Sequence, residues 1–266
     1  MSRIPLGRDT PAPKGHDPSV LYCIPRRPCP VPVYGYDLWR SYELSWLNPK
    51  GKPMVGILEL VYSSKSEFIV ESKSLKLYLN GLSYAAFGSP LEVKDTIAQD
   101  LERTLLTPWI LVRIIEQGGF SDLSCEPRVP GICLDTLDVP IDIYQRDPAL
   151  LSCEEGHRDE VLSSDLLRTS CPITGQPDWA SVVIHYRGRV IDHSSLLKYL
   201  CSYRDHLGFA EEVCEQIFLD ISEHCSPEML SVKCCYTRRG GIDINPLRCS
   251  TPMGPEDVKR TRLIRQ

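Results

Sequence analysis

Residues 169–186 read TSCPITGQPDWASVVIHY, a turn-forming segment set directly against a strand. Pro172, Gly175 and Pro177 resist helix and favour turns, while Ala180–Tyr186 alternates well enough for a strand. Two helical segments follow, about Ser194 to His206 and about Phe209 to His224, before Leu230 to Tyr236 returns as a strand. The first half has similar ingredients. Met54–Tyr62 and Phe68–Val70 read as strands, and Ser72 as the N-cap of a helix with Leu75, Tyr78 and Leu79 in register. A second helix runs from Leu91 to Leu105, and Trp109–Ile115 is a strand. Strands framing paired helices, rather than strictly alternating βα units, predict an α+β domain occurring twice.

Outside these modules the signal differs. Pro5, Pro11, Pro13, Pro18, Pro25, Pro28, Pro30 and Pro32 exclude regular helix or central strand, so the start of the chain is an extended, surface-wrapping arm. Between Gln117 and Ser164 the pattern weakens into turns. The expected division is an arm over residues 1–34, a first module over 35–140, a linker over 141–164 and a second module over 165–266.

A chain of 266 residues that is 42% hydrophobic can build a real core. Thirty basic and thirty-five acidic residues give a net charge of -5 with no long run of one sign, so neither a nucleic-acid nor a membrane-binding surface is expected. No stretch suits a signal peptide or a membrane span, and a cytoplasmic protein is the expectation. Twelve cysteines in a chain of this size read as thiols rather than disulfides. They form no CxxC, and Cys234 and Cys235, adjacent in a strand, point to opposite faces. The six histidines form no HExxH, so no metal is expected.

Four places carry candidate chemistry. Cys171 and Asp178 would stand about 25 Å apart in an extended chain, but a turn folds the carboxyl back toward the sulfur. Alone, the pattern also fits a buried structural thiol beside a surface turn. Glu71, Ser72 and Lys73 lie where a strand hands over to a helix start, a place with spare N–H donors that favours anions, or simply a solvated cap. Glu211 stands at the edge of the apolar line Phe209, Val213, Ile217 and Ile221, where snorkelling or an ion pair is the plain alternative to a site. Arg238 and Arg239 precede Gly240 and Gly241, which suits a phosphate as well as a ligand-free β-turn.

The segments ESKSLKLY (71–78), SCPITGQPDW (170–179), FAEE (209–212) and YTRRGGIDINP (236–246), with YELSWLN (42–48), together resemble the NADPH-dependent 7-cyano-7-deazaguanine reductases. These are the nitrile reductases of queuosine biosynthesis, here in their long, two-module form, and the likeness covers nearly everything after residue 35. It implies tandem tunnelling-fold (T-fold) modules, an antiparallel sheet with helices on one face, a homodimer, NADPH as cofactor, a small-molecule substrate and no metal. By position Cys171 matches the nucleophile and Asp178 the proton donor. Glu71 and Glu211 match the carboxylates that grip the purine-like ring, with Val70, Ser72 and Ala210 beside them. Ser72, Lys73, Arg239 and Gly240 match the NADPH contacts, and Lys73, Arg238 and Arg239 offer charge to a 2′-phosphate.

The chemistry explains these residue types. Thiolate attack turns a nitrile into a thioimide, a better hydride acceptor, and Asp178, held protonated, passes a proton to the nitrogen. Two hydrides complete the reduction. No Rossmann GxGxxG is present, which leaves the cofactor to lysine, arginine and backbone donors. The chain departs from the family pattern at Ala210, where a histidine is expected, and alanine can neither hydrogen-bond through its side chain nor transfer a proton. His206 stands one helical turn earlier. Two other readings are a catalytically impaired or engineered T-fold purine-binding protein and a cysteine-dependent hydrolase, the latter leaving the Thr237–Gly240 motif unexplained.

Overall fold

The computed structural model describes residues 11–123, 125–127 and 129–266. The arm residues 1–10 lie outside this set. From residue 11 the arm stays extended apart from a short 3-10 turn, Pro18–Val20, capped by the Asp17 carboxylate. Its one strand, β1 (Cys23–Pro25), joins β4 (Phe68–Val70) in a two-stranded antiparallel ribbon. The prolines therefore keep the arm out of the main sheet, as their missing N–H groups require.

Next come β2 (Tyr34–Leu47) and β3 (Pro53–Ser63), which pair antiparallel. β2 was not apparent as a strand because it is covered on both faces and buries Asp37 and Arg40 completely, which breaks apolar alternation. Helix α1 (Ser72–Leu82) follows β4. Its N-cap is Glu71 rather than Ser72: Glu71 is extended, and its two carboxylate oxygens take both the Lys73 and the Ser74 N–H. Ser72 is already helical. Helix α2 (Pro90–Leu105) is capped by Ser89 and buries Val93, Ile97, Leu101 and Leu105. β5 (Ile110–Glu116) then pairs with β3 at the sheet edge.

The expected linker over 141–164 needs correction. β6 (Cys125–Glu126), β7 (Ile132–Cys133) and short 3-10 turns lead to β8 (Cys153–Ser170), whose first two-thirds, residues 153–164, fall within that span. Its first eight residues, CEEGHRDE, are mostly exposed, so they show no apolar period and are held by backbone pairing to β9 (Pro177–Ile191). Helix α3 (His193–Ser202), capped by Asp192, ends earlier than the periodicity suggests, with Tyr203–Asp205 tightening into a 3-10 turn. Helix α4 (Ala210–Cys225) buries Val213, Ile217 and Ile221, and truncating either isoleucine to alanine would cost about 2–5 kcal/mol. The chain closes with β10 (Met229–Tyr236), β11 (Ile242–Cys249) and β12 (Arg262–Leu263), the last parallel to β6.

One eight-stranded sheet results, in the order β5-β3-β2-β11-β10-β9-β8-β7, antiparallel except for β7 against β8. Two units, β2-β3-α1-α2-β5 and β8-β9-α3-α4-β10-β11, meet where β2 pairs with β11, Tyr34 opposite Cys249 and Ser41 opposite Ile242. Both helix pairs cover the same side. Trp39, Leu58 and Leu60 pack under α1 and α2, and Val182, Ile184 and Val232 under α3 and α4. On the other side Tyr36, Leu38 and Val61 meet Val258 of the C-terminal segment. This is the α+β tandem tunnelling-fold architecture that the resemblance implies.

Candidate active site

A cavity of about 410 Å³ opens near the β2–β11 seam, walled by both units. β8 and β9 form a hairpin in which Ser170 pairs with Pro177. Cys171 is the first loop residue. Its N–H donates to the Gln176 carbonyl at 2.9 Å and its carbonyl accepts from Gly175 at 2.9 Å, with Gly175 at φ +66°. Residue 171 thus faces 176 across the hairpin and stands diagonal to Asp178, a relationship that places Cα atoms roughly 7–8 Å apart with side chains on one face. Both residues line the cavity, and the Cys171 side chain is buried. The turn chemistry does fold the carboxyl back.

Across the cavity stand Val70, Glu71, Ser72 and Lys73, delivered by the end of β4 and the start of α1. Glu71 is buried, and burial raises its carboxyl above the usual range against the pull of the Lys73 and Ser74 N–H groups. A third wall comes from Gly208–Glu211. Loop 206–208 is tied to the strand that leads into Cys171, since Ser170 N–H donates to the His206 carbonyl at 2.9 Å and Gly208 N–H to the Ser170 carbonyl at 3.2 Å. Ala210 opens α4 and presents only a methyl. Glu211 does not snorkel, since it is only 2% exposed, and among the described residues its Oε1 has no hydrogen-bond partner. Burial, then the nearby Asp37 charge, pushes its carboxyl up to about 8.

His206 does not line the cavity with the others. It packs edge-on against Tyr203, behind Gly208, and burial followed by the Arg146 charge lowers its imidazole.

The fourth wall is Tyr236–Ile244. Arg239 donates to the Asp178 carboxylate and to Gln176 Oε1. Asp178 is therefore ion-paired at the rim rather than buried. Arg238 is not in the cavity; it turns away and stacks on Tyr42 at 4.2 Å, because successive extended residues point to opposite sides. Its place is taken by Lys76, one turn beyond Lys73 on α1, a helical spacing that the sequence itself displays. Gly240, at φ +54°, brings bare backbone to the cavity, and a Cβ there would stand 3.0 Å from Lys76 Nζ. Arg26 and Asp37, which flank Glu211 from behind, carry no local sequence signal. Among the described residues no three His, Cys, Asp or Glu side chains cluster as metal ligands, and no helix is long and apolar enough to cross a membrane.

Comparisons with known proteins agree on the family. The model "Nitrile reductase, 7-cyano-7-deazaguanine-reductase N-term" matches residues 14–112, and the model "QueF-like protein" matches residues 177–253. The NADPH-dependent 7-cyano-7-deazaguanine reductase of Burkholderia ambifaria (strain MC40-6) is 43% identical over 267 residues, 97% of each chain. That of Coxiella burnetii (strain CbuK_Q154) is 44% identical over 257 residues, covering 93% of this chain and 91% of its own. The archaeosine synthase QueF-Like, in its apo form, overlays 38% of this chain and 99% of its own at 18% identity and TM-score 0.33. With near-complete coverage at that identity, and with both family models falling on the two units of the sheet, the chain belongs to the 7-cyano-7-deazaguanine nitrile reductase family.

Proposed function

We propose that the chain reduces the nitrile of 7-cyano-7-deazaguanine to the aminomethyl group of 7-aminomethyl-7-deazaguanine with NADPH, through a thioimide on Cys171, as a step of queuosine biosynthesis. The observation that carries this reading is that one cavity gathers a buried thiol, a rim carboxylate and two buried carboxyls, Glu71 and Glu211, from three separate segments.

Glu71 and Glu211 orient the ring through its N–H edge, holding the nitrile toward the hairpin loop. Paired with Arg239, Asp178 begins as the carboxylate and takes the Cys171 thiol proton. The sulfur then adds to the nitrile carbon, one C–N π bond is lost, and Asp178 returns the proton to the nitrogen, so the addition balances without outside acid. The residues present fit the cofactor: Gly240 offers a cradle that a Cβ would fill, beside the cations of Lys76 and Arg239, with Ser72 and Lys73 opposite. When bound, NADPH supplies hydride, two for each nitrile taken to the amine. A homodimer accords with β5, which ends the sheet with an edge that is unpaired among the described residues, and a cytoplasmic location follows the resemblance.

Intact mass spectrometry with the nitrile substrate and no NADPH tests the reading. A mass increase equal to the substrate is expected, and it should vanish in Cys171→Ala. No adduct at saturating substrate, or an adduct that survives the substitution, overturns it.

A further inference from the structure

The proline-rich arm is joined to the site at both of its ring-binding carboxyls. At Glu71 the joint is backbone: the Tyr22 carbonyl accepts the Glu71 N–H at 2.9 Å, and the Tyr22 N–H donates to Ser74 Oγ at 3.0 Å. At Glu211 the joint is ionic. Arg26 is fixed by Glu67 and Ser66, its N–H and Nε each donating at 3.0 Å, and its Nη2 donates to Asp37. Asp37 is completely buried, and its other oxygen accepts from Arg248 Nη1 at 2.8 Å. Arg248 Nε in turn donates to Glu215 Oε2 at 3.1 Å, on α4 one turn past Glu211.

This chain of charges runs from the arm through β2 and β11 to α4. Arg27 adds a contact to Glu212 at 3.2 Å. Behind Glu211 a small cavity of about 140 Å³ is bounded by Arg26, Arg27, Glu215 and Gln216. The charged and titratable groups facing Glu211 are thus Arg26 and Arg27 from the arm, Asp37 from β2, Tyr62 from β3, Arg248 from β11, and Glu212 and Glu215 on its own helix. Without Arg26, Asp37 would confront Glu211 with less opposing charge, and Arg248 would be drawn toward Asp37 at the expense of Glu215.

We propose that Arg26, carried by the arm, is a positioning residue for Glu211: acting through Asp37 and the Arg248–Glu215 pair, it fixes the first turns of α4 and offsets the Asp37 charge beside the ring-binding carboxyl. The inference rests on the reading of Glu211 as a ligand of the ring.

The test uses the full chain. Binding of 7-cyano-7-deazaguanine is measured by calorimetry in a Cys171→Ala background, where it cannot react, and turnover with NADPH is measured with Cys171 intact. Arg26→Met should weaken binding and raise KM by about tenfold or more while kcat changes less than about threefold. Arg26→Lys should recover most of that loss. His16→Ala, which releases the arm from Asp100 at its other anchor, should bind as the unaltered chain does. Should Arg26→Met not fold, Arg26→Gln with Asp37→Asn leaves no unpaired buried charge and should still weaken binding roughly fivefold or more.

Full affinity in that double variant, an equal loss in His16→Ala, or a lysine variant no better than methionine each overturns the proposal. Glu211→Gln separates the two layers. If it binds normally, the reading of Glu211 as a ligand fails; if it loses affinity while the Arg26 variants do not, only the present inference fails.

Discussion

The Arg239 guanidinium donates to the Asp178 carboxylate, so one ion pair joins the proposed cofactor contact to the proposed proton carrier. Cofactor phosphate and Asp178 would then compete for the same cation. Asp178→Asn removes the competing charge, and NADPH should bind about threefold more tightly while turnover falls by about 10²–10⁴, the range for losing a general acid–base group. Fluorescence titration with NADPH and steady-state kinetics check the two effects. Unchanged cofactor affinity would show that the pair and the phosphate do not share Arg239.

Lys76 faces the backbone of Gly240 inside the cavity, where the arginine expected from the motif, Arg238, does not reach. Lys76→Met should therefore reduce the preference for NADPH over NADH by roughly tenfold, one charge-assisted phosphate contact at a partly exposed site. The ratio of kcat/KM for the two nucleotides measures it. A matching effect from Arg238→Met instead would place the phosphate on the other side of β11.

Ala210 leaves a methyl where an imidazole would reach the cavity, and His206 is screened by Gly208. Ala210→His should raise kcat by about tenfold to a thousandfold with much less change in substrate affinity. If the gain is absent, His206→Ala decides whether that residue already fills the role: it should then lose a comparable factor.

Glu211 makes stability depend on pH in a defined direction. Its carboxyl is near 8 in the fold against an ordinary 4.5, so between those values the folded chain keeps a proton that the unfolded chain releases. The associated stability is complete below about pH 4.5 and is lost as pH rises through 8. Glu211→Gln cannot ionise. Relative to the unaltered chain it should gain on the order of 2 kcal/mol or more on going from about pH 5 to about pH 8.5. Urea titrations at the two pH values give the difference, and a pH-independent gap would contradict the burial argument.

What the sequence disclosed follows the range of the forces involved. The hairpin at Cys171 rests on turn residues adjacent in the chain, and α2 on apolar residues at helical spacing, so both were legible locally. β2 was not, since Asp37 and Arg40 occupy buried positions that a strand pattern assigns to apolar side chains. The outer half of β8 projects beyond the core and so has no apolar face to display. The N-cap of α1 was misplaced by one residue because Glu71 caps with a carboxylate where a hydroxyl at Ser72 fitted the usual preference. The motif positions converge on one cavity, but the Arg26–Asp37–Arg248 chain depends on the β2–β11 register, which brings residues more than two hundred positions apart into contact. No local pattern encodes it.

The seam between β2 and β11 has a genetic consequence. Each chain draws the walls of its own cavity from both of its units, Glu71 from one and Cys171 from the other. Two defective alleles, one encoding Glu71→Ala and the other Cys171→Ala, should therefore fail to complement when co-expressed, even if their products associate, because every chain would carry a spoiled pocket and none could borrow the missing wall from its neighbour.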